Sequence, residues 1–277
     1  MAQRVVLITG ANSGVGYSIA QHLLCAPEPF RIILAGRSPG NITAAIDALR
    51  SNTTSTTTGP AANPASTLHP LHLDVTHKST IDAAAAAVRS QFGKLHVLVN
   101  NAGIAPTGPD TRGVYRSTLE TNVIGPALVS EAFRPLLLAA TAGDDASSWP
   151  AYSVYVGSVV GSLSGIADPA SGLRTTGAGH AAYRASKAAL NMLVAHEQVE
   201  VEQDAEGEGL PGRLRVRVMC PGFVVSNLRG ESEEQRTGGG RAGDPADSAR
   251  VLYGIIRGER EGDDERGLIR GEDVYRW

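Results

Sequence analysis

The chain has 277 residues, enough for one large domain with a substantial core. Its 42% hydrophobic and 19% charged residues suit a globular protein, and a net charge of −3 leaves no basic field for nucleic acid or an anionic membrane. Two cysteines, Cys25 and Cys220, are too few for a disulfide framework and show no metal-ligand spacing, so no metal site is expected and a reducing, cytoplasmic setting is.

"RVVLITG" (4–10) reads as a short buried strand ending in glycine, too short for a leader sequence. "GYSIAQHLLCA" follows with helical spacing, then a second buried strand, "RIILAGR". "NITAAIDALRS" reads as a helix with Asn41 at its N-cap. Residues 51–67 are low-complexity, rich in Thr, Ser, Pro and Gly, and read as a mobile surface loop without a core of its own. "LHPLHLDV" is a third strand, and "STIDAAAAAVRSQFG" a helix capped by Ser79. "LHVLVNNAG" is a fourth strand, followed by a long helix over 111–139. No stretch is expected to reach the length of a membrane-spanning helix.

Next come a fifth strand, "AYSVYVGSVVG", a helix over 180–202, and a sixth strand, "RLRVRVMCPG". A helix over 245–257 and a short last strand in "GLIRG" complete the order. The acidic run "HEQVEVEQDAEGEGL" reads as a solvated helix end, and Met192 and Leu193 as core or subunit contact. The alternation predicts an α/β fold: one doubly wound parallel sheet with helices on both faces, in a single domain spanning 1–277. The polar, glycine-rich stretch within 223–245 is read as a flap over a site.

"TGANSGVG" (Thr9–Gly16) joins the first strand to the first helix. Gly10, Gly14 and Gly16 there allow a tight turn and a close approach to a pyrophosphate, with the helix N-terminus facing the anion. Readers of NAD place an acid at the end of the second strand, about 20 residues on. This chain has Gly36 and Arg37, and a guanidinium suits a 2′-phosphate, with Ser38 as a further donor. The expected cofactor is therefore NADPH.

In "HAAYRASKAALNML" Tyr183 precedes Lys187 by about one helical turn, so the two share a face. Together with the motifs above, this chain resembles the short-chain dehydrogenase/reductase family, in its compact single-domain branch with a Rossmann-type fold. Five further segments carry the likeness, in order: the glycine loop, "NNAG" (Asn100–Gly103), "LETNVIG" with Asn122, "YVGSVVG" with Ser158, and "CPGFVVS" (Cys220–Ser226).

The resemblance implies that Ser158, Tyr183, Lys187 and Asn122 are catalytic. For cofactor contacts it implies Asn12, Ser13, Val15, Asp74, Asn101, Ala102, Gly103, Pro221, Gly222, Val224 and Ser226 alongside Gly10, Gly14, Gly16, Arg37, Ser38, Tyr183 and Lys187. The family usually has threonine where Ser226 stands, and the Ser158-to-Tyr183 stretch is longer than usual. The bland readings stand beside these. Asp74 caps a turn, Val224 is core, Asn122 bonds backbone inside a bent helix, and Ser158 bonds its own loop.

The chemistry follows from residue types. A nearby ammonium, together with a positively charged nicotinamide ring in the oxidised complex, favours the phenolate of a tyrosine, which otherwise titrates near pH 10. Tyr183 then acts as general acid or base on a substrate oxygen that Ser158 also holds. The expected activity is reversible reduction of a ketone or aldehyde. The expected substrate is bulky and weakly polar, because Leu163, Ile166, Leu173, Val224, Val225 and Leu228 would line the walls, with Arg174 and Arg229 near the mouth. Helix 180–202 also carries more apolar surface than one core face uses, so a homodimer or homotetramer is expected. A nucleotide sensor without turnover, or a member repurposed for cyclisation or dehydration, remains an alternative.

Overall fold

The computed structural model describes residues 3–54, 61–141, 150–173, 180–207, 214–260 and 267–275. Arg174 lies outside the described residues, as does most of the centre of the low-complexity stretch.

The first half runs β1 (Arg4–Thr9), α1 (Gly14–Leu24), β2 (Phe30–Gly36), α2 (Pro39–Thr54), β3 (Thr67–His72), α3 (Lys78–Phe92) and β4 (Val97–Asn100). Then come α4 (Thr111–Leu119), a π turn (Glu120–Ile124) and α5 (Gly125–Thr141), followed by β5 (Ala151–Val156) and α6 (Leu163–Ala167). The chain closes with α7 (His180–Gly207), β6 (Leu214–Met219), α8 (Glu233–Thr237), α9 (Pro245–Ile256), β7 (Leu268–Arg270) and β8 (Asp273–Tyr275). One sheet has the order β3-β2-β1-β4-β5-β6-β7-β8. Strands β1 to β7 are parallel, and β8 turns back antiparallel on β7. The strands are near-continuous apolar runs because helices cover both faces. One core holds Ile19, Leu23, Ile42 and Leu252 from α1, α2 and α9, and a second holds Ile81, Val88, Phe133 and Leu137 from α3 and α5.

Several local expectations are corrected. Ser38, not Asn41, opens α2: its hydroxyl oxygen accepts from the Asn41 N–H at 3.4 Å. Helix α3 starts after His77 with no side-chain cap, so Ser79 does not cap it. Its neighbour Thr80 instead donates to the Asp74 and His77 carbonyls. The low-complexity stretch is not a free loop throughout, since α2 continues to Thr54. Asn63 then ties the chain to the end of α1, donating to the carbonyls of Leu24, Ala26 and Pro27.

The acidic end of α7 is not all solvated. Glu197 is buried and accepts from the Tyr155 hydroxyl, which also pairs with Ser130. Met192 is 72% exposed, so it is no core residue. The run Thr111–Thr141 is 31 residues and, by length and hydropathy, apolar enough to cross a membrane, against expectation. Val129, Phe133, Leu136 and Leu137 of that run are packed against the sheet.

Candidate functional site

Strand order reverses between β1 and β4, and ligands of open α/β sheets bind beyond the carboxyl ends of strands at such a switch point. The residues singled out from sequence gather along these ends. Gly10, Asn12, Ser13, Gly14, Val15 and Gly16 follow β1, Arg37 and Ser38 follow β2, and Asp74 follows β3. Asn101, Ala102 and Gly103 follow β4, Ser158 follows β5, and Pro221, Gly222, Val224 and Ser226 follow β6.

The glycine turn is bound tightly to its neighbour. Gly10 and Gly14 have φ of +63° and +56°, in the left-handed region. A Cβ on Gly16 would lie 2.5 Å from Asn101 Nδ2 and 2.8 Å from the Gly10 carbonyl, so no side chain fits. Asn101 Nδ2 donates to the carbonyls of Thr9 (2.7 Å) and Gly10 (3.1 Å), while Thr9 Oγ1 accepts from the N–H groups of Asn101 and Ala102, both at 3.0 Å. Thr9 is thus the buried clamp of the loop, a role the glycine pattern did not single out. Ser13 precedes α1 in extended backbone, its side chain makes no cap hydrogen bond, and the first turn carries no acid. A helix start left without a carboxylate, on a turn with no room for Cβ atoms, fits a phosphate group. Val15 packs its side chain on the core, leaving its backbone for such a contact. Ser226 closes the other side, with its Cβ 3.3 Å from where a Gly14 Cβ would stand.

At the outer end, Arg37 is exposed and makes no hydrogen bond or ion pair among the described residues. Asp74 caps the turn after β3: Oδ1 accepts from the Thr76 N–H (3.0 Å) and hydroxyl (2.7 Å), and His77 Nδ1 lies 3.4 Å from Oδ2. Burial pushes its carboxyl up, but the Thr76 hydrogen bonds and the charges of His77 and Arg37 bring it below the usual range.

At the inner end, α7 presents Tyr183 and Lys187 on one face, with Lys187 Nζ 5.6 Å from the Tyr183 ring centroid. Ser158 stands beside the Tyr183 phenol and is among the groups that hold its pKa down. Lys187 is buried and donates to the Val156 carbonyl at 2.8 Å. Gly161 permits this packing, because a Cβ there would lie 2.6 Å from the Lys187 carbonyl carbon.

Burial pushes the Tyr183 phenol well above its ordinary value, an effect Cys220 adds to and Ser158 and Arg229 oppose. Burial also lowers the Lys187 amine to about 8. In the chain by itself the tyrosine is therefore neutral. The phenolate expected from the sequence belongs to the complex with oxidised cofactor, whose ring charge adds to that of Lys187.

The π turn sets Asn122, which is fully buried. Its Oδ1 accepts from the Ile104 N–H at 2.9 Å, and Nδ2 donates to the Ile104 carbonyl (2.9 Å) and Ser186 Oγ (3.0 Å). Ser186 in turn donates to the Tyr183 carbonyl at 2.7 Å. Asn122 thus ties the segment after "NNAG" to the helix that carries Tyr183, and Ser186 is a link that spacing alone did not mark. π turns of this kind often interrupt helices at functional sites.

The segment expected to be a flap is tied down locally. Val224 is buried and bridges Gly243, α8 is closed by a capping box at Ser232, and Pro221 is held by Ser248. Arg229 lies near enough to the Tyr183 phenol to oppose the rise of its pKa, and its guanidinium is tied to its own segment. It donates to the carbonyls of Val224 (2.9 Å), Gln235 (3.0 Å) and Arg236, and stacks 4.3 Å from the Phe223 ring centroid.

The family model for short chain dehydrogenases matches residues 4–237. The chain belongs to the short-chain dehydrogenase/reductase family. It is similar to short-chain dehydrogenase anuI of Penicillium roqueforti, 32% identical over 229 residues that cover 82% of this chain and 81% of that protein. The fold is shared with Pseudomonas aeruginosa RhlG in an NADP active-site complex, at TM-score 0.72 and 21% identity, covering 98% and 95% of the chains. It is also shared with a short-chain dehydrogenase/reductase of Burkholderia phymatum in complex with NAD, at TM-score 0.70 and 21% identity, covering 98% and 89%. This is an oxidoreductase family acting on alcohol and carbonyl groups with a nicotinamide cofactor, and its structures include both forms of that cofactor.

Proposed function

We propose that the protein is an NADPH-dependent reductase of ketones or aldehydes, reversible in principle. The observation that carries this reading is the Lys187 ammonium 5.6 Å from the Tyr183 ring centroid, with Ser158 beside the phenol. The dinucleotide supplies the hydride when bound. Ser158 holds the carbonyl oxygen of the substrate, and Tyr183, neutral in this site, delivers the proton to that oxygen. Lys187 would hold the dinucleotide's ribose, and Asn122 keeps the tyrosine helix in register with the loop after β4. The amides of the Gly10–Gly16 turn hold the pyrophosphate. Exposed Arg37 takes the 2′-phosphate, which supports NADPH over NADH.

The substrate is bulky and mainly apolar. Leu163, Ile166 and Phe223 stand exposed on the two segments that flank the site, which supports this reading. The working form is a homodimer or homotetramer, supported by exposed Met192 and Val199 on α7 and Ile124 and Leu138 on the neighbouring helical run. Two free thiols suit a reducing, cytoplasmic setting.

The test follows NADPH absorbance with a panel of carbonyl compounds. A higher kcat/KM for a bicyclic ketone than for small keto acids supports the reading. The reverse order rejects the pocket assignment, and cofactor binding without turnover of any carbonyl rejects the reductase.

A further inference from the structure

A cavity of about 370 Å³ lies between the segment after β5 and the hairpin of β7 and β8. That size falls within the range of small-molecule sites, roughly 300–1,000 Å³. Val159, Ser162, Gly172, Leu173, Arg270 and Tyr275 form its walls. It adjoins the reacting centre without containing it. Val159 follows Ser158 directly, and its N–H points to Cys220 Sγ at 3.4 Å. Tyr183 and Lys187 are not among its walls.

The cation in this wall is half-buried and has no charged partner among the described residues. It is Arg270, with its guanidinium carbon 5.9 Å from the Tyr275 ring centroid. It makes no hydrogen bond or ion pair among the described residues. Asp273 stands opposite it in the hairpin register but forms no ion pair with it. The nearby arginines are satisfied: Arg260 reaches Glu272 at 3.7 Å and the Gly271 carbonyl at 2.9 Å, and Arg229 is held by three carbonyls. A cation set among Val159, Leu173 and Tyr275 attracts an anion more strongly than it would in water. Its forked donors match a carboxylate, and the aromatic and aliphatic walls match a flat ring.

We propose that this cavity binds a ring-borne carboxylate, and that it is the part of the substrate site that reads one charged substituent on an otherwise apolar ring system. Calling the ligand a substrate rests on the reductase reading; the binding site does not.

Isothermal titration of the full-length protein with 2-naphthoate tests the site, with 2-naphthamide as the uncharged match. Arg270→Met removes the cation. Gly172→Leu fills the cavity from a position where an added Cβ meets no heavy atom within 4 Å. The expected result is saturable naphthoate binding, weakened at least about tenfold by either variant, as loss of a charge-assisted bond would give. Binding of the amide is expected to be weaker and indifferent to Arg270→Met. No saturable binding, or equal affinity in the parent and Arg270→Met, overturns the proposal. Intact naphthoate binding in a protein that turns over no carbonyl refutes the reductase and leaves this site standing.

Discussion

Replacing Tyr183 with phenylalanine separates folding from chemistry, because the structure assigns very different magnitudes to the two. The hydroxyl stands beside Ser158, and the helix is held independently through Ser186 and Asn122. Deleting the hydroxyl costs no more than one hydrogen bond between uncharged groups, about 1 kcal/mol, while Ser158 keeps its 3.4 Å contact from the Val160 N–H. In a chain of this size that lowers Tm by no more than about 4 °C. General acid catalysis supplies about 10²–10⁴ in rate, or roughly 2.7–5.4 kcal/mol of barrier. The expected variant therefore melts almost normally, binds NADPH almost normally by fluorescence titration, and reduces a carbonyl at least about a hundredfold more slowly. Near-normal kcat/KM would refute the proton-delivery assignment. A collapse of Tm matching the loss of rate would mean that the hydroxyl is structural.

Three further outcomes are expected. Arg37→Ala should weaken NADPH relative to NADH by about tenfold or more, the worth of a charge-assisted bond. An unchanged preference would place the phosphate reader elsewhere. This single change is cleaner than adding an acid at Gly36, where a Cβ would press 2.9 Å from Ile42 Cδ1. Light scattering at micromolar concentration should report a dimer or tetramer, and Met192→Glu with Val199→Glu should shift it to monomer; a monomeric parent refutes the interface.

His96 Nδ1 accepts from the Val5 N–H at 3.0 Å, and burial, with Lys94 and Arg4 adding to it, lowers its pKa from 6.5 to about 4. The unfolded chain then takes up a proton first as pH falls, so stability is complete above about 6.5 and is lost toward 4. Discounted for partial exposure, the loss is about 1–2 kcal/mol. His96→Gln should lose less Tm than the parent between pH 7 and 4.5, and an equal loss would sink the argument.

Much of the fold was legible in the sequence because parallel strands covered on both faces tend to be apolar runs, and three of those runs led into a glycine, asparagine or serine at the site: Gly10, Asn100 and Ser158. The succession of strands and helices, the glycine turn and the Tyr183–Lys187 spacing are local or periodic properties, so the residues themselves determined them. The α2 cap slipped from Asn41 to Ser38, and α3 starts with no side-chain cap, because a cap depends on which side chain reaches a free amide. Partnership across the sheet was decided only by the tertiary structure. Glu197 looked like one more solvated acid in an acidic run, yet packing brings it to Tyr155. The three carbonyls that hold Arg229 within its own segment could not be read from the sequence either. The protonation of Tyr183 is the sharpest case. The spacing predicts an ammonium beside the phenol, but the balance between that charge and desolvation depends on burial, which no sequence spacing contains.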